Sequence, residues 1–261
     1  MRVLIYLMTL SMVGCGYASV LEEDAKQDIV AAVSDPANVS DDSSEGKLYS
    51  VVAELFVGDK DNKIYARYPQ IQGLGDKERE DAINELIRSE FYRLNIEEQL
   101  KHVQQSWEYG VEDYYYLKMD YDVMMQTDKL LSILYTEEGR FKTSFALCYS
   151  VQGITIDLER VEKLALTDFV TVDKRLLQRM RESEKVTNHF IDRDGKVDSS
   201  LLASVRENLD MSEDWLLEVL SGSLDGGGGY TYAVSPEALH ISVSISHAGG
   251  DYLLFELPFE Q

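Results

Sequence analysis

The chain has 261 residues, 44% of them hydrophobic and 10% aromatic, so it can bury one sizeable core or two smaller ones and is not a disordered protein. Its 47 Asp and Glu residues outnumber its 25 Lys and Arg residues, which gives a formal net charge of −22. This balance excludes nucleic acid as a partner, because phosphate binding needs a basic surface. It either attracts cationic partners or simply keeps the protein soluble.

Residues 1–14 are predicted to be a lipoprotein signal peptide. The eleven residues of the apolar run at 3–13 would extend only about 16 Å as a helix, whereas a bilayer core is about 30 Å thick. The run is therefore a signal segment rather than a membrane span. A small residue directly before Cys15 is typical of a bacterial lipobox, although Met12 stands where leucine is usual. We predict lipidation of Cys15; the alternative is an ordinary signal peptide cleaved near residues 17–19.

Residues 15–47 are predicted to be an acidic, flexible tether. The part from 21 to 47 is rich in Ser and acidic residues and has no aromatic residue, so it buries too little surface to order itself. A flexible segment of about thirty residues has a root-mean-square span on the order of 30 Å. The sequence thus predicts a folded domain tethered outside a membrane.

An N-terminal α+β domain is predicted over residues 48–160. It opens with strands at 48–57 and 63–71, which a polar turn joins. Asp76 is the predicted N-cap of the following helix. The apolar residues of that helix recur on one stripe: Ile83, Leu86, Ile87, Phe91 and Leu94. A second helix is predicted over 96–107.

The stretch 112–158 is predicted to form three successive antiparallel strands. Aromatic and β-branched runs are separated by turn-forming residues at 126–128 and 137–140. In the first run the alternation sends two sets of side chains to opposite faces: Tyr115, Leu117, Met119 and Tyr121 on one, and Tyr114, Tyr116, Lys118, Asp120 and Asp122 on the other. Cys148 falls in the third run and is predicted to be a buried, inert thiol without a disulfide partner.

A C-terminal α+β domain is predicted over residues 161–261. Helices are expected at 173–185, 199–208 and 211–220, and a terminal meander at 230–234, 239–246 and 252–259. The first of these helices carries the densest positive charge in the chain: Lys174, Arg175, Arg179, Arg181 and Lys185. These residues are predicted to form a solvated helix face; the alternative is a patch that binds a ligand. The predicted fold class is α+β, with antiparallel sheets packed by helices in two related subdomains in tandem.

No motif predicts catalysis, a metal or a cofactor. The glycines at 226–229 precede a strand and lack the lysine of a phosphate loop, so they are predicted to be a connection. The stretch 192–196 is closer to a turn than to a calcium loop, and the four histidines lack metal-ligand spacing. Trp107, Tyr109 and the tyrosines at 114–116 favour strand packing; the alternative is a surface that stacks on a sugar.

Three blocks of sequence resemble a known family. They are Tyr-Pro-Gln-Ile-Gln-Gly-Leu-Gly-Asp at 68–76, Ile-Asp-Leu at 156–158 followed by Leu-Ala-Leu-Thr-Asp-Phe at 164–169, and the ending that includes Ser-Pro-Glu-Ala-Leu at 235–239 and Leu-Pro-Phe at 257–259. Together they resemble the paired extracytoplasmic domains of lysozyme-responsive anti-sigma factors and of some peptidoglycan deacetylases. The resemblance implies a two-part α+β fold and, from the anti-sigma members, binding of lysozyme.

The resemblance does not carry every family property. The sequence offers no deacetylase domain and no segment for intramembrane signalling, and Val161 stands where a turn glycine is usual in the family. The expected function is therefore a non-enzymatic surface lipoprotein on the outer face of the cytoplasmic membrane, held there by its lipid anchor. It would bind lysozyme or another cationic envelope protein. The alternatives are an accessory protein that binds or modifies cell-wall glycan (peptidoglycan) and a scaffold for envelope assembly.

Overall fold

The computed structural model describes residues 49–58, 62–144, 146–188, 213–221, 229–245 and 250–259. All of them belong to one compact unit, Lys47–Gln261. No helix in this described part is long and apolar enough to cross a membrane. Several sequence predictions lie outside the described residues: the signal peptide, Cys15, the tether, His189, His247, the helix at 199–208, the turn at 192–196 and the glycines at 226–228.

The first sheet has six strands in chain order, β1 to β6. Their bounds are β1 Ser50–Val57, β2 Lys63–Gln72, β3 Tyr115–Gln126, β4 Leu130–Phe141, β5 Cys148–Asp157 and β6 Glu162–Lys163. Neighbouring strands are antiparallel except β2 and β3, which run parallel over four residue pairs from Lys63 opposite Tyr116 to Ala66 opposite Met119. A parallel pair needs a crossover, and the helical segment between these strands supplies it.

The crossover helices cover one face of this sheet. Helix α1 spans Lys77–Tyr92, a π-helical turn spans Arg93–Glu97, and α2 spans Glu98–Glu108. As predicted, the Asp76 carboxylate caps α1 by accepting from the Arg79 N–H at 3.1 Å. The predicted stripe is also confirmed, since Ile83, Ile87 and Phe91 are at most 1% exposed and pack on buried residues of β2 to β5.

The second sheet has four strands in the order β7, β10, β9, β8. They are β7 Val186–Thr187, β8 Tyr230–Val234, β9 Ala238–Ser244 and β10 Tyr252–Pro258. Helices α3, Lys174–Glu182, and α4, Glu213–Leu220, cover its outer face. The buried residues of α3 are those predicted from its pattern: Leu176, Leu177 and Met180.

The two sheets pack face to face, so the layers run helices, sheet, sheet, helices. Gly153 allows the closest approach, because a side chain there would overlap the Tyr232 carbonyl of β8. The Ser132 hydroxyl bridges the layers by accepting from the Val234 N–H at 2.8 Å, and it lies 2.8 Å from the Thr155 hydroxyl. This arrangement confirms the predicted α+β class of antiparallel sheets packed with helices; the division at residue 160 stays a prediction.

Two local predictions are wrong. Residues 137–140, predicted as a turn, continue β4 to Phe141, because Glu137 and Gly139 remain in register with Ser150 and Cys148 of β5. Cys148 is exposed rather than buried. It opens β5 opposite a glycine, which offers no side chain to cover the sulfur.

Candidate functional site

Helix α2 ends in a tightly defined turn. Gly110 has a φ of 76°, a left-handed conformation that favours glycine, and it follows the C-cap residue Tyr109. The Gly110 N–H donates to the Trp107 carbonyl at 2.9 Å, and the Val111 N–H donates to the Ser106 carbonyl at 2.9 Å. These two bonds form a Schellman motif, which fixes the backbone of the turn.

A buried carboxylate holds the other end of this segment. Asp113 is 1% exposed, and its Oδ1 accepts from the N–H of Tyr114 at 2.9 Å and of Thr143 at 3.2 Å. Its Oδ2 accepts from the Thr143 hydroxyl at 2.8 Å, and its backbone carbonyl accepts from the Trp107 indole N–H at 2.6 Å. We call residues 107–113 the aromatic turn; it is anchored at both ends.

The aromatic turn presents large apolar side chains to solvent. Trp107 is 47% exposed, Tyr109 is 86% exposed and Val111 is 46% exposed. Single exposed apolar residues are ordinary, but three within five residues of one fixed turn make this segment the strongest candidate for an interaction site. Glu108 and Glu112 are exposed within the same turn and form its acidic rim, and Lys142 Nζ lies 3.3 Å from Glu112 Oε2 and partly neutralises that carboxylate. An apolar centre with an acidic rim suits a partner that is apolar at one point and cationic around it.

The tyrosines that follow have three different environments. Tyr115 is 6% exposed in the core of the first sheet, where its ring centroid lies 5.0 Å from that of Phe141. The Tyr114 ring lies near two ammonium groups, with its centroid 5.4 Å from Lys63 Nζ and 5.9 Å from Lys142 Nζ. Tyr116 is partly buried on the other face of β3. Of these three tyrosines, only Tyr114 therefore both follows the aromatic turn directly in sequence and contacts it.

Sequence reasoning named Trp107 and Tyr109 but missed the residues that orient them. Neither ring is packed within a strand; both project from the end of α2. Gly110 was the signal that could have located this turn, since a glycine just after a helical pattern is a typical helix stop. The role of Asp113 depends on Thr143, thirty residues away, and no local pattern reveals that contact.

A second polar cluster lies between β4 and β5. The Ser150 hydroxyl donates to the Glu137 carboxylate, and burial raises the pKa of Glu137 to about 7 against the opposing effect of that hydrogen bond. A carboxyl group with such a pKa is suited to general acid–base chemistry. Desolvation, with the Asp251 carboxylate as a second cause, raises the pKa of the nearby Cys148 thiol and so reduces the fraction present as reactive thiolate.

In the described part of the chain, one serine–histidine pair has a structural role in a turn. His240 Nε2 lies 3.0 Å from Ser235 Oγ. The Ser235 hydroxyl donates to the Ala238 carbonyl at 3.1 Å and accepts from the Ala238 N–H at 3.1 Å, so it closes the turn between β8 and β9. Among the residues that the structure describes, no group of three or more His, Cys, Asp or Glu side chains is arranged to hold a metal ion.

No protein-family model and no curated protein matches the chain. A solved structure of a DUF3298 family protein from Bacteroides fragilis is similar, with 10% identity, a TM-score of 0.44, and coverage of 80% of this chain and 88% of that one. A DUF3298 family protein from Pseudomonas aeruginosa has 10% identity, a TM-score of 0.42, and coverage of 80% and 89%. These scores support no functional inference, and the resemblance to lysozyme-responsive domains stays a prediction.

Proposed function

We propose that this protein is a bacterial surface lipoprotein whose α+β domain binds a cationic protein, such as lysozyme, without catalysing a reaction. A lipid on Cys15 would hold the domain on the outer face of the cytoplasmic membrane. The observation that carries the binding proposal is the aromatic turn, where Trp107 and Tyr109 are exposed on a backbone that is anchored at both ends.

The residue types in the aromatic turn favour binding energetically. Trp and Tyr are enriched among the few residues that contribute most to protein–protein binding. The Schellman motif fixes the backbone that carries both residues, and the Asp113 carbonyl holds the Trp107 indole, so less conformational entropy is lost on binding. Trp107 is therefore an efficient anchor for a partner protein, with Tyr109 exposed beside it in sequence.

The charge of the whole chain favours a cationic partner. A formal net charge of −22 produces a field that attracts cationic proteins over distances longer than direct contact. Complementary charge raises association rates steeply at low salt, and salt screens the effect over about 10 Å at 0.1 M. The acidic rim of the aromatic turn extends the same complementarity to the contact itself.

A salt series tests this function. The full chain in detergent micelles is titrated with lysozyme at about 20 mM and about 300 mM salt, with acetylated lysozyme as the matched control because acetylation removes its lysine charges. We expect a complex at low salt, slower association at high salt, and weaker binding of the acetylated form. The absence of a complex at low salt would overturn the assignment of lysozyme as partner.

Glycan binding is the second candidate function. It is favoured by Trp107, which is 47% exposed and held by its indole N–H on the Asp113 carbonyl, because an exposed aromatic ring with a fixed orientation can stack on a sugar. Co-sedimentation with purified peptidoglycan at both salt concentrations tests it. If the ring stacks on a sugar, the protein should sediment with peptidoglycan equally well at both salt concentrations. If incubation leaves the peptidoglycan fragments unchanged, that result would argue against catalysis.

The anchor has its own test. Cells that express the full chain are labelled with radioactive palmitate, and the Cys15→Ser variant is the control. We expect label on the wild-type protein, no label on the variant, and a shift of the variant out of the membrane fraction. An unlabelled wild-type protein would overturn the lipoprotein proposal and leave binding at the aromatic turn to be judged by the salt series.

A further inference from the structure

A cavity of about 360 Å³ lies on the helical side of the second sheet. Helix α3, the segment before it and the ends of β9 and β10 line it: Phe169, Val170, Thr171, Asp173, Arg175, Leu176, Arg179, Leu239 and Phe259. The volume falls within the usual range for small-molecule sites, roughly 300–1,000 Å³. At roughly 30 Å³ for each water-sized group, it holds about a dozen non-hydrogen atoms.

The apolar part of the lining is suited to a compact hydrophobic group. Leu176 and Leu239 are buried residues of this lining, each with 1% of its surface exposed. Phe169 is partly buried and Phe259 is 39% exposed, so both rings can still cover an occupant. Transfer of an apolar group from water into contact with these four side chains is favourable.

The polar part of the lining carries positive charge. Arg179 Nη2 donates to the Pro258 carbonyl at 2.5 Å, a contact that ties α3 to the end of β10. The Asp173 carboxylate caps α3 by accepting from the N–H groups of Arg175 at 2.9 Å and Leu176 at 3.1 Å. Within the described part of the chain, no carboxylate pairs with the Arg175 guanidinium, and Arg175 lines the cavity while remaining exposed to solvent.

Neighbouring basic residues of α3 and of the segment that follows it have different partners. Lys174 pairs with Glu213 at 2.8 Å, Arg181 lies 3.7 Å from the same carboxylate, and Lys185 pairs with Glu256. Arg175 and Arg179 are the members of this basic cluster that line the cavity. Of the five basic residues that the sequence suggested as a solvated face or a ligand patch, three therefore lie in ion pairs and two line the cavity.

We propose that this cavity binds a small amphiphilic carboxylate, with its apolar body between Phe169 and Phe259 and its carboxylate on Arg175. The planar guanidinium matches a carboxylate through two parallel hydrogen bonds. A monoanion is favoured over a phosphate dianion because the net charge of −22 opposes each added negative charge. Both a medium-chain fatty acid and the C-terminal residue of a peptide have this chemistry.

Two probes and their neutral analogues test the site on the full chain by isothermal titration calorimetry. The probes are decanoate, kept below its micelle concentration, and N-acetyl-L-phenylalanine; the analogues are decanol and N-acetyl-L-phenylalaninamide. We expect saturable binding of at least one carboxylate and about tenfold or weaker binding of its neutral analogue, since hydrogen bonds to charged groups contribute about that factor or more. Saturable binding of decanoate would indicate a fatty acid as the ligand, and saturable binding of N-acetyl-L-phenylalanine would indicate the C-terminal residue of a peptide.

Matched variants locate the binding. Arg175→Gln removes the proposed anion contact, and Lys174→Gln removes an equal charge from the adjacent position, which does not line the cavity. We expect Arg175→Gln to weaken binding about tenfold and Lys174→Gln less than about twofold, with thermal denaturation confirming that both fold. Phe259→Ala should also weaken binding. Equal binding of the neutral analogue, equal effects of the two charge variants, or no saturable binding of either probe would overturn the proposal.

Discussion

At the scale of single residues, Glu137 links the stability of the first sheet to pH. Burial raises its pKa from 4.5 to about 7, so between these values the folded state holds a proton that the unfolded state releases. Stability must therefore fall as pH rises through this window. This pKa shift corresponds to a loss of roughly 2 kcal/mol in the free energy of unfolding across the window, after allowance for the partial exposure of the residue.

The variant Glu137→Gln tests this linkage because its amide stays neutral and still accepts from Ser150. We expect the variant to gain roughly 2 kcal/mol of unfolding free energy relative to wild type between about pH 5 and about pH 8. Urea unfolding at several pH values measures it. The control is Glu138→Gln, on the opposite face of the same strand. A difference from wild type that is independent of pH would contradict this role of Glu137.

Asp113 is the residue that sets the geometry of the aromatic turn. The variant Asp113→Ala removes a buried carboxylate that accepts three hydrogen bonds, from the N–H groups of Tyr114 and Thr143 and from the Thr143 hydroxyl. We expect it to lower the unfolding free energy by roughly 2–3 kcal/mol, measured by urea denaturation. Glu112→Ala removes the adjacent exposed carboxylate and should change stability by less than about 1 kcal/mol. Equal effects of the two variants would show that the Asp113 contacts do not hold the turn.

At the scale of elements, the contact between the two sheets depends on Gly153. In Gly153→Ala the new methyl group would overlap backbone atoms of Tyr232, which can move only if β8 moves. We expect a loss of roughly 2–3 kcal/mol in thermal or urea unfolding. In the control, Gly139→Ala, the methyl group meets the hydroxyl end of the Tyr115 side chain rather than backbone atoms, so the loss should be smaller. The reverse order would contradict the packing of β5 on β8.

The same scale shows which elements the sequence could predict. Helices α1 and α3 have clear apolar stripes and capping aspartates, and their patterns predict both the residues they bury and their start positions to within a residue. The turn predicted at 137–140 is wrong because its charged residues and its glycine are typical of an exposed turn, whereas pairing with β5 keeps these residues in the strand. The parallel pairing of β2 with β3 depends on how the crossover helices pack, which no local pattern records.

At the scale of the whole molecule, the candidate sites lie in different layers. The aromatic turn follows the helices that cover the first sheet, and the 360 Å³ cavity lies beside α3 on the second sheet. Sequence patterns supplied Trp107, Tyr109 and the basic residues of α3 as candidates. They could not show that Trp107 is oriented by Asp113, or that Phe259 closes a cavity with a helix that begins 85 residues earlier in the chain, because these are contacts made only on folding.

The central claim, that the aromatic turn binds a cationic protein, is tested most directly by the variant Trp107→Ala. Leu55→Ala is the matched control, since Leu55 is also 47% exposed but lies on β1. In titrations with lysozyme at low salt, we expect Trp107→Ala to weaken binding about tenfold or more, mainly through faster dissociation, and Leu55→Ala to leave it within about twofold of wild type. Wild-type affinity in Trp107→Ala would contradict the claim.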